Sequence, residues 1–230
     1  MQDGLVRYPV AGPGGWETLL LGSGLHLLAV YLPVLPLVVV LGYLVAVVLH
    51  TASDRAAGRR GAPAVVTLPP TRDQLRRLAA DGLRGTVVTA TYLAVPAAVV
   101  AVTLRGVGGL GAATGGSLSA GASAALLVGG TATLATAAVF CYPLPAALAA
   151  VGRHHRLAAA FDTTLLRATA RDARYFVGWA TGVTAIVFGA AAGTALAPVG
   201  IGFVVAFYCE VVGAAQWGWG VSRLRRRGLL

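Results

Sequence analysis

The strongest constraint on this chain is one uncharged run, Thr18 to Leu49, in which 32 consecutive residues carry no charged side chain. As a single helix rising about 1.5 Å per residue it would reach roughly 48 Å, well beyond a hydrocarbon core of roughly 30 Å. Pro33 and Pro36 interrupt it. Proline lacks the amide proton that a helix interior needs and biases its predecessor away from helical geometry. The run therefore predicts a helical hairpin: Thr18 to Leu32 ascends, Leu32 to Pro36 turns, and Leu37 to Leu49 descends. Each leg then satisfies its own backbone hydrogen bonds, as lipid requires.

The rest of the chain repeats the pattern. With 57% hydrophobic and 11% charged residues in 230 positions, it lies far from soluble domains, which carry about 25% charged residues. Gly85 to Leu104 is an uncharged crossing between Arg84 and Arg105, with Pro96 inside it. Ala122 to Tyr142 crosses back, after a Gly-rich stretch, Gly106 to Gly121, that reads as an outer loop. Tyr175 to Ala197 and Val199 to Val221 form a third hairpin about Pro198. Two basic amphipathic segments separate the hairpins. The first opens with Thr71-Arg72-Asp73-Gln74, the spacing of a capping box, and places Leu75, Leu78, Ala79, Gly82 and Leu83 on one face. The second is Arg153 to Arg174. The predicted fold is all-α: a polytopic transmembrane bundle of six crossings, arranged as three helical hairpins, plus two interfacial amphipathic helices. Residues 1–15 form an N-terminal cytoplasmic segment, 16–222 the transmembrane domain and 223–230 a basic tail. Residues 1–15 lack the apolar stretch of a cleavable signal peptide.

Every basic residue apart from four His is Arg, and the 18 Arg against 8 acidic residues give a net charge of +10. With six crossings, 17 Arg fall on one side and Arg105 alone on the other. The positive-inside rule then makes both termini and both amphipathic segments cytoplasmic, in a multi-pass protein of the cell membrane. Trp16, Tyr175, Trp217 and Trp219 fall near the inner interface, where amphipathic rings anchor helices. Arg72, Arg76, Arg77 and Arg84 on the first amphipathic segment, with Arg223, Arg225, Arg226 and Arg227 in the tail, are the candidate contacts to anionic lipid. Membrane lipid is the expected partner and nucleic acid is not.

Within the crossings, Glu210 lies near the middle of the sixth and His26 midway through the first. A carboxylate at that depth is costly unless neutral, paired or hydrated. It is either a proton or cation site or a hydrogen-bonded packing residue. His154 and His155, adjacent on a helix, point about 100° apart and read as solvated. Gly178 with Gly182, Gly189 with Gly193, and Gly42 with Ala46 have the small-residue spacing of close helix contacts. Gly106-Val107-Gly108-Gly109-Leu110-Gly111 matches a dinucleotide-binding fingerprint in letters, but no strand precedes it and no suitable acid follows. P-loop, nucleophile-elbow, zinc-protease and CxxC motifs are missing, and Cys141 and Cys209 read as small apolar residues. The chain is read as non-enzymatic, with no cofactor or metal. The alternative is a small transporter or channel using Glu210.

Tyr8-Pro9 followed by Trp16, Pro36 followed by Gly42-Tyr43-Leu44, Asp81-Gly82-Leu83 with Tyr92 and Pro96, Tyr142-Pro143, and Phe161-Asp162 together resemble a family of polytopic membrane proteins represented in halophilic archaea, domain of unknown function 4013. The resemblance implies a membrane protein and carries over no catalytic residues.

Overall fold

A computed structural model describes residues 3–10, 14–59, 71–113 and 120–230. Among them every regular element is helical. The α-helices are α1 (Asp3–Val6), α2 (Gly15–Ala29), α3 (Leu35–Ala56), α4 (Arg72–Ala113), α5 (Ala120–Cys141), α6 (Leu144–His154), α7 (Thr163–Ala170), α8 (Ala173–Leu196) and α9 (Ile201–Arg226). Short 3-10 turns occupy Tyr8–Val10, Leu157–Phe161 and Ala197–Val199.

Among the described residues five stretches are long and apolar enough to cross a membrane: Leu35–Ala56, Arg72–Gly106, Ser123–His154, Ala173–Val199 and Ile201–Arg226. The first leg of the opening hairpin is the exception. α2 has 15 residues, about 22 Å by helical rise, against a core of roughly 30 Å. The chain turns over 30–34, and Pro36 lies in the first turn of α3, where its missing amide proton leaves no bond unmade.

The chain divides into two compact units, residues 1–87 with 145–230, and residues 88–144. In the first, helices approach through glycine. A Cβ on Gly42 of α3 would collide with the Leu78 carbonyl of α4, and one on Gly82 would collide with the Val38 carbonyl, so the two glycines form a reciprocal crossing. α8 and α9 pack the same way. A Cβ on Gly178 would lie 2.7 Å from the Gly220 Cα, and one on Gly193 would lie 3.0 Å from the Gly202 carbonyl. The four-residue spacings at 178/182 and 189/193 thus build one seam, consistent with association driven by close packing where lipid is as apolar as the side chains. α6 supplies much of the core, with Ala146, Ala147, Ala149, Ala150 and Val151 all buried. In the second unit α5 packs on the later half of α4, where a Cβ on Gly129 would meet Thr103. The hydroxyls of Thr131 and Thr136 there donate to carbonyls four residues back, satisfying polar groups in otherwise apolar helices.

Several expectations need correction. The segment opening at Thr71 is not a separate interfacial helix. It runs without a break into the crossing, because nothing at Arg84 or Gly85 removes a backbone hydrogen bond, and its Leu78–Gly82 face packs on α3 while Leu75 and Leu83 stay exposed. α4 also continues through Gly106 to Ala113, across the GxGxxG letters and much of the expected outer loop. Glycine disfavours a helix by only about 1 kcal/mol per residue. The rest of that loop, 114–119, and the polar stretch 60–70 lie outside the described residues. The second amphipathic segment is not one helix either. Asp162 ends the 3-10 turn and caps α7, accepting from the Thr164 and Leu165 amides at 2.7 and 3.3 Å. Asp172 caps α8, accepting from the Arg174 and Tyr175 amides at 3.0 and 3.2 Å. Tyr175 is fully buried. The tail is largely helical, since α9 extends through Arg226.

Candidate functional site

The capping box at Thr71 forms as the spacing predicts. The Gln74 amide donates to Thr71 Oγ1 at 3.2 Å, and the Thr71 amide donates to Gln74 Oε1 at 3.0 Å. It fixes the start of α4, so that Asp73, Arg76, Arg77, Ala80, Asp81 and Arg84 form one stripe at helical spacing. With His155 they line a concavity of about 370 Å³. Asp81 organises it: Arg84 Nη1 donates to Asp81 Oδ1 at 2.8 Å, and His155 Nδ1 lies 3.1 Å from the same oxygen. His155 is therefore engaged rather than merely solvated. It sits in the left-handed region at φ 54°, uncommon for a side chain with a Cβ, where the chain leaves α6. Arg72, Arg76 and Arg77 are exposed, and with both Asp present the cleft still carries an excess of guanidinium.

The tail arginines divide. Arg223 Nη1 and Arg227 Nη1 flank Asp172 at 3.8 and 3.7 Å, and the Asp172 side chain is 1% exposed. That buried carboxylate joins the start of α8 to the end of α9, while Arg174 lies 4.4 Å over the Trp219 ring. Arg226 is exposed and Arg225 half-buried. Of the tail residues expected to meet lipid, two thus have an internal partner.

His26 of α2 and Glu210 of α9, 184 residues apart, meet, with His26 Nε2 lying 3.1 Å from Glu210 Oε1. His26 Nδ1 is 3.0 Å from the Gly22 carbonyl, which can only accept, so Nδ1 carries a proton. One further proton is then shared between Nε2 and Oε1. Either the carboxylic acid donates to a neutral ring, or an imidazolium donates to a carboxylate. Glu210 Oε2 is buried with no hydrogen-bond partner. The side chains are 13% and 25% exposed. The His26 ring lies 5.7 Å from that of Phe207, which lies 5.8 Å from Tyr43. Beside the pair runs an apolar groove of about 560 Å³, lined by residues including Leu21, Gly22, Leu25, Tyr43, Leu78 and Phe207 but by neither member of the pair.

Among the described residues no three His, Cys, Asp or Glu side chains gather as a metal site would require. Sequence reasoning missed His155 and Asp172, although an Asp just before a helical run is a readable cap signal. No curated protein and no solved structure matches the chain. A family described as protein of unknown function (DUF4013) matches residues 25–199. Since that match covers more than half of the sequence, the chain belongs to the DUF4013 family.

Proposed function

We propose that this is a non-enzymatic, multi-pass membrane protein whose arginine-rich face engages the anionic headgroups of the cytoplasmic leaflet. The observation that carries the reading is the cleft on α4, where Arg76, Arg77 and Arg84 converge with His155 in a concavity of about 370 Å³. Guanidinium groups match phosphate oxygens in paired hydrogen bonds, and basic clusters beside a membrane-crossing segment suit anionic lipid. The five membrane-length helices support the multi-pass reading. α2 acts as a short sixth crossing. In support, the Tyr8 ring lies against Thr51 and Asp54 near the end of α3, where burial pushes its phenol up. The N-terminal segment then lies on the side of the α3 C-terminus, and both chain ends share the arginine-rich side.

The test is native mass spectrometry of the full-length protein released from nanodiscs of mixed phosphatidylglycerol and phosphatidylcholine. The wild type should retain phosphatidylglycerol in excess of its share, and R72Q/R76Q/R77Q/R84Q should retain distinctly less of that excess. Equal enrichment in wild type and variant would refute the reading.

A second reading, a small proton or cation transporter, has support in the His26–Glu210 contact, because a single shared proton at that depth is able to move between partners. The apolar character of the neighbouring groove favours the first reading. Proton flux in proteoliposomes that Glu210→Gln abolishes, with folding intact, would reverse that preference.

A further inference from the structure

A second concavity, of about 220 Å³, lies where the C-terminal portions of three helices converge, lined by Leu49, His50 and Ser53 of α3, Arg153 of α6 and Arg225 of α9. Two glycines bring them together. A Cβ on Gly152 would lie 2.6 Å from Val45 Cγ1 and 2.9 Å from Leu49 Cδ1, so its absence lets α6 sit against α3 and sets Arg153 beside that helix. A Cβ on Gly218 would lie 2.6 Å from the Val48 carbonyl, so its absence draws α9 onto α3 and sets Arg225 two turns further on.

The lining holds two guanidinium groups and an imidazole but no carboxylate. Among the described residues, none of the three cationic side chains takes part in an ion pair. Asp54, the nearest acid along α3, is held by Arg59 Nε at 3.0 Å. Ser53 Oγ donates to the Leu49 carbonyl at 2.7 Å, which leaves the nitrogen groups as the free donors. Helix dipoles favour a basic residue in each last turn, which accounts for Arg153 and Arg225 singly. They do not account for placing the two in one hollow, where they repel. Nor do they account for His50, six residues before the end of α3 at Ala56.

We propose that this hollow is a binding site for a phosphate group, with Arg153 and Arg225 as paired donors and His50 as the third. Donors arriving from three helices suit a tetrahedral oxyanion better than a planar carboxylate, and guanidinium pairs match phosphate oxygens. The group comes either from a phospholipid headgroup or from a free phosphate. The site shares no residue with the cleft on α4, so the two stand or fall separately.

The experiment uses the full-length protein in two arms. In maltoside detergent, which contains no phosphate, inorganic phosphate is titrated while thermal stability is followed. In phosphatidylcholine nanodiscs doped with phosphatidylglycerol, retained lipid is counted by native mass spectrometry. Adding R153Q/R225Q should weaken the response in at least one arm about tenfold or more, whether it is introduced into the wild type or into R72Q/R76Q/R77Q/R84Q. A phosphate response identifies a free anion, and retained phosphatidylglycerol alone identifies a lipid. R153Q/R225Q relieves repulsion and should melt no lower than wild type without ligand. The conservative R153K/R225K keeps the charge but loses the fork, and should bind with intermediate affinity. No response by wild type in either arm, or responses that R153Q/R225Q leaves unchanged, would overturn the proposal. Loss confined to the α4 variant would do so too while leaving the lipid reading intact.

Discussion

Replacing Gly42 by Ala adds one methyl group at the point where α3 and α4 are closest. That Cβ would overlap the Leu78 carbonyl and lie 3.1 Å from the Gly82 nitrogen. Both obstacles are backbone, so no side-chain rotation relieves them and the helices must separate. Overpacking of this kind costs about 1–3 kcal/mol, and backbone obstruction belongs at the upper end. Alanine returns up to about 1 kcal/mol of helix propensity over glycine. The net expectation for Gly42→Ala is a loss of about 2 kcal/mol, enough to change the folded-to-unfolded ratio by about thirtyfold. Gly24 of α2 provides the control, since a Cβ there meets nothing within 4 Å, and Gly24→Ala should be neutral or stabilising by up to about 1 kcal/mol. Thermal and chemical denaturation of the purified protein in detergent measures both. Gly42→Ala as stable as Gly24→Ala would refute the reciprocal crossing of α3 and α4, and with it the packing that holds the arginine cleft in place.

Three further outcomes follow from single contacts. If His26 and Glu210 share one proton, H26L and E210L should be non-additive, with a coupling of about 1–3 kcal/mol in a double-mutant cycle in detergent; additive losses would mean that the contact contributes nothing. Thr71→Ala removes the capping-box acceptor, which should cost about 1 kcal/mol and speed amide exchange in the first turn of α4; unchanged protection there would contradict the cap. Asp162 is held below the usual carboxylate range by the Thr164 and Leu165 amides. Because the folded value is the lower one, its stabilisation of α7 is present above about pH 4 and fades as pH falls through the depressed value. Protection of the α7 amides, corrected for the intrinsic exchange rate at each pH, should fall on acidification in the wild type but not in Asp162→Asn, which keeps an accepting oxygen without the titration.

Features set by local chemistry were legible in the sequence. The Thr71–Gln74 box, the turn at Pro33, the break near Pro198 and the four-residue glycine spacings depend on neighbours a few positions away, and each has its counterpart in the helices. The helical course of Gly106–Ala113 was not legible, because a run of glycines only weakens a helix and sequence alone does not say when it is tolerated. α6 was not legible as a helix of its own. A short Ala-rich segment carries little periodic signal, yet small side chains are what allow it to be so deeply buried. The candidate site divides along the same line. Arg72, Arg76, Arg77 and Arg84 were readable as one helix face, but their junction with His155 was not. Nor was the meeting of His26 with Glu210, since 184 residues separate them and no local rule pairs α2 with α9.

Everything proposed for the arginine face requires it to lie on the cytoplasmic side of a multi-pass protein. Reporter fusions in the living cell test that requirement directly, placed at the N-terminus, after Arg59, after Arg156, after Leu230 and within 114–119. The positive-inside count of 17 Arg against 1 predicts the first four sites inside and the last outside. An N-terminus found outside with the other sites unchanged would contradict the sixth crossing by α2. A 114–119 reporter found inside, or Arg156 found outside, would contradict the orientation on which the lipid reading depends.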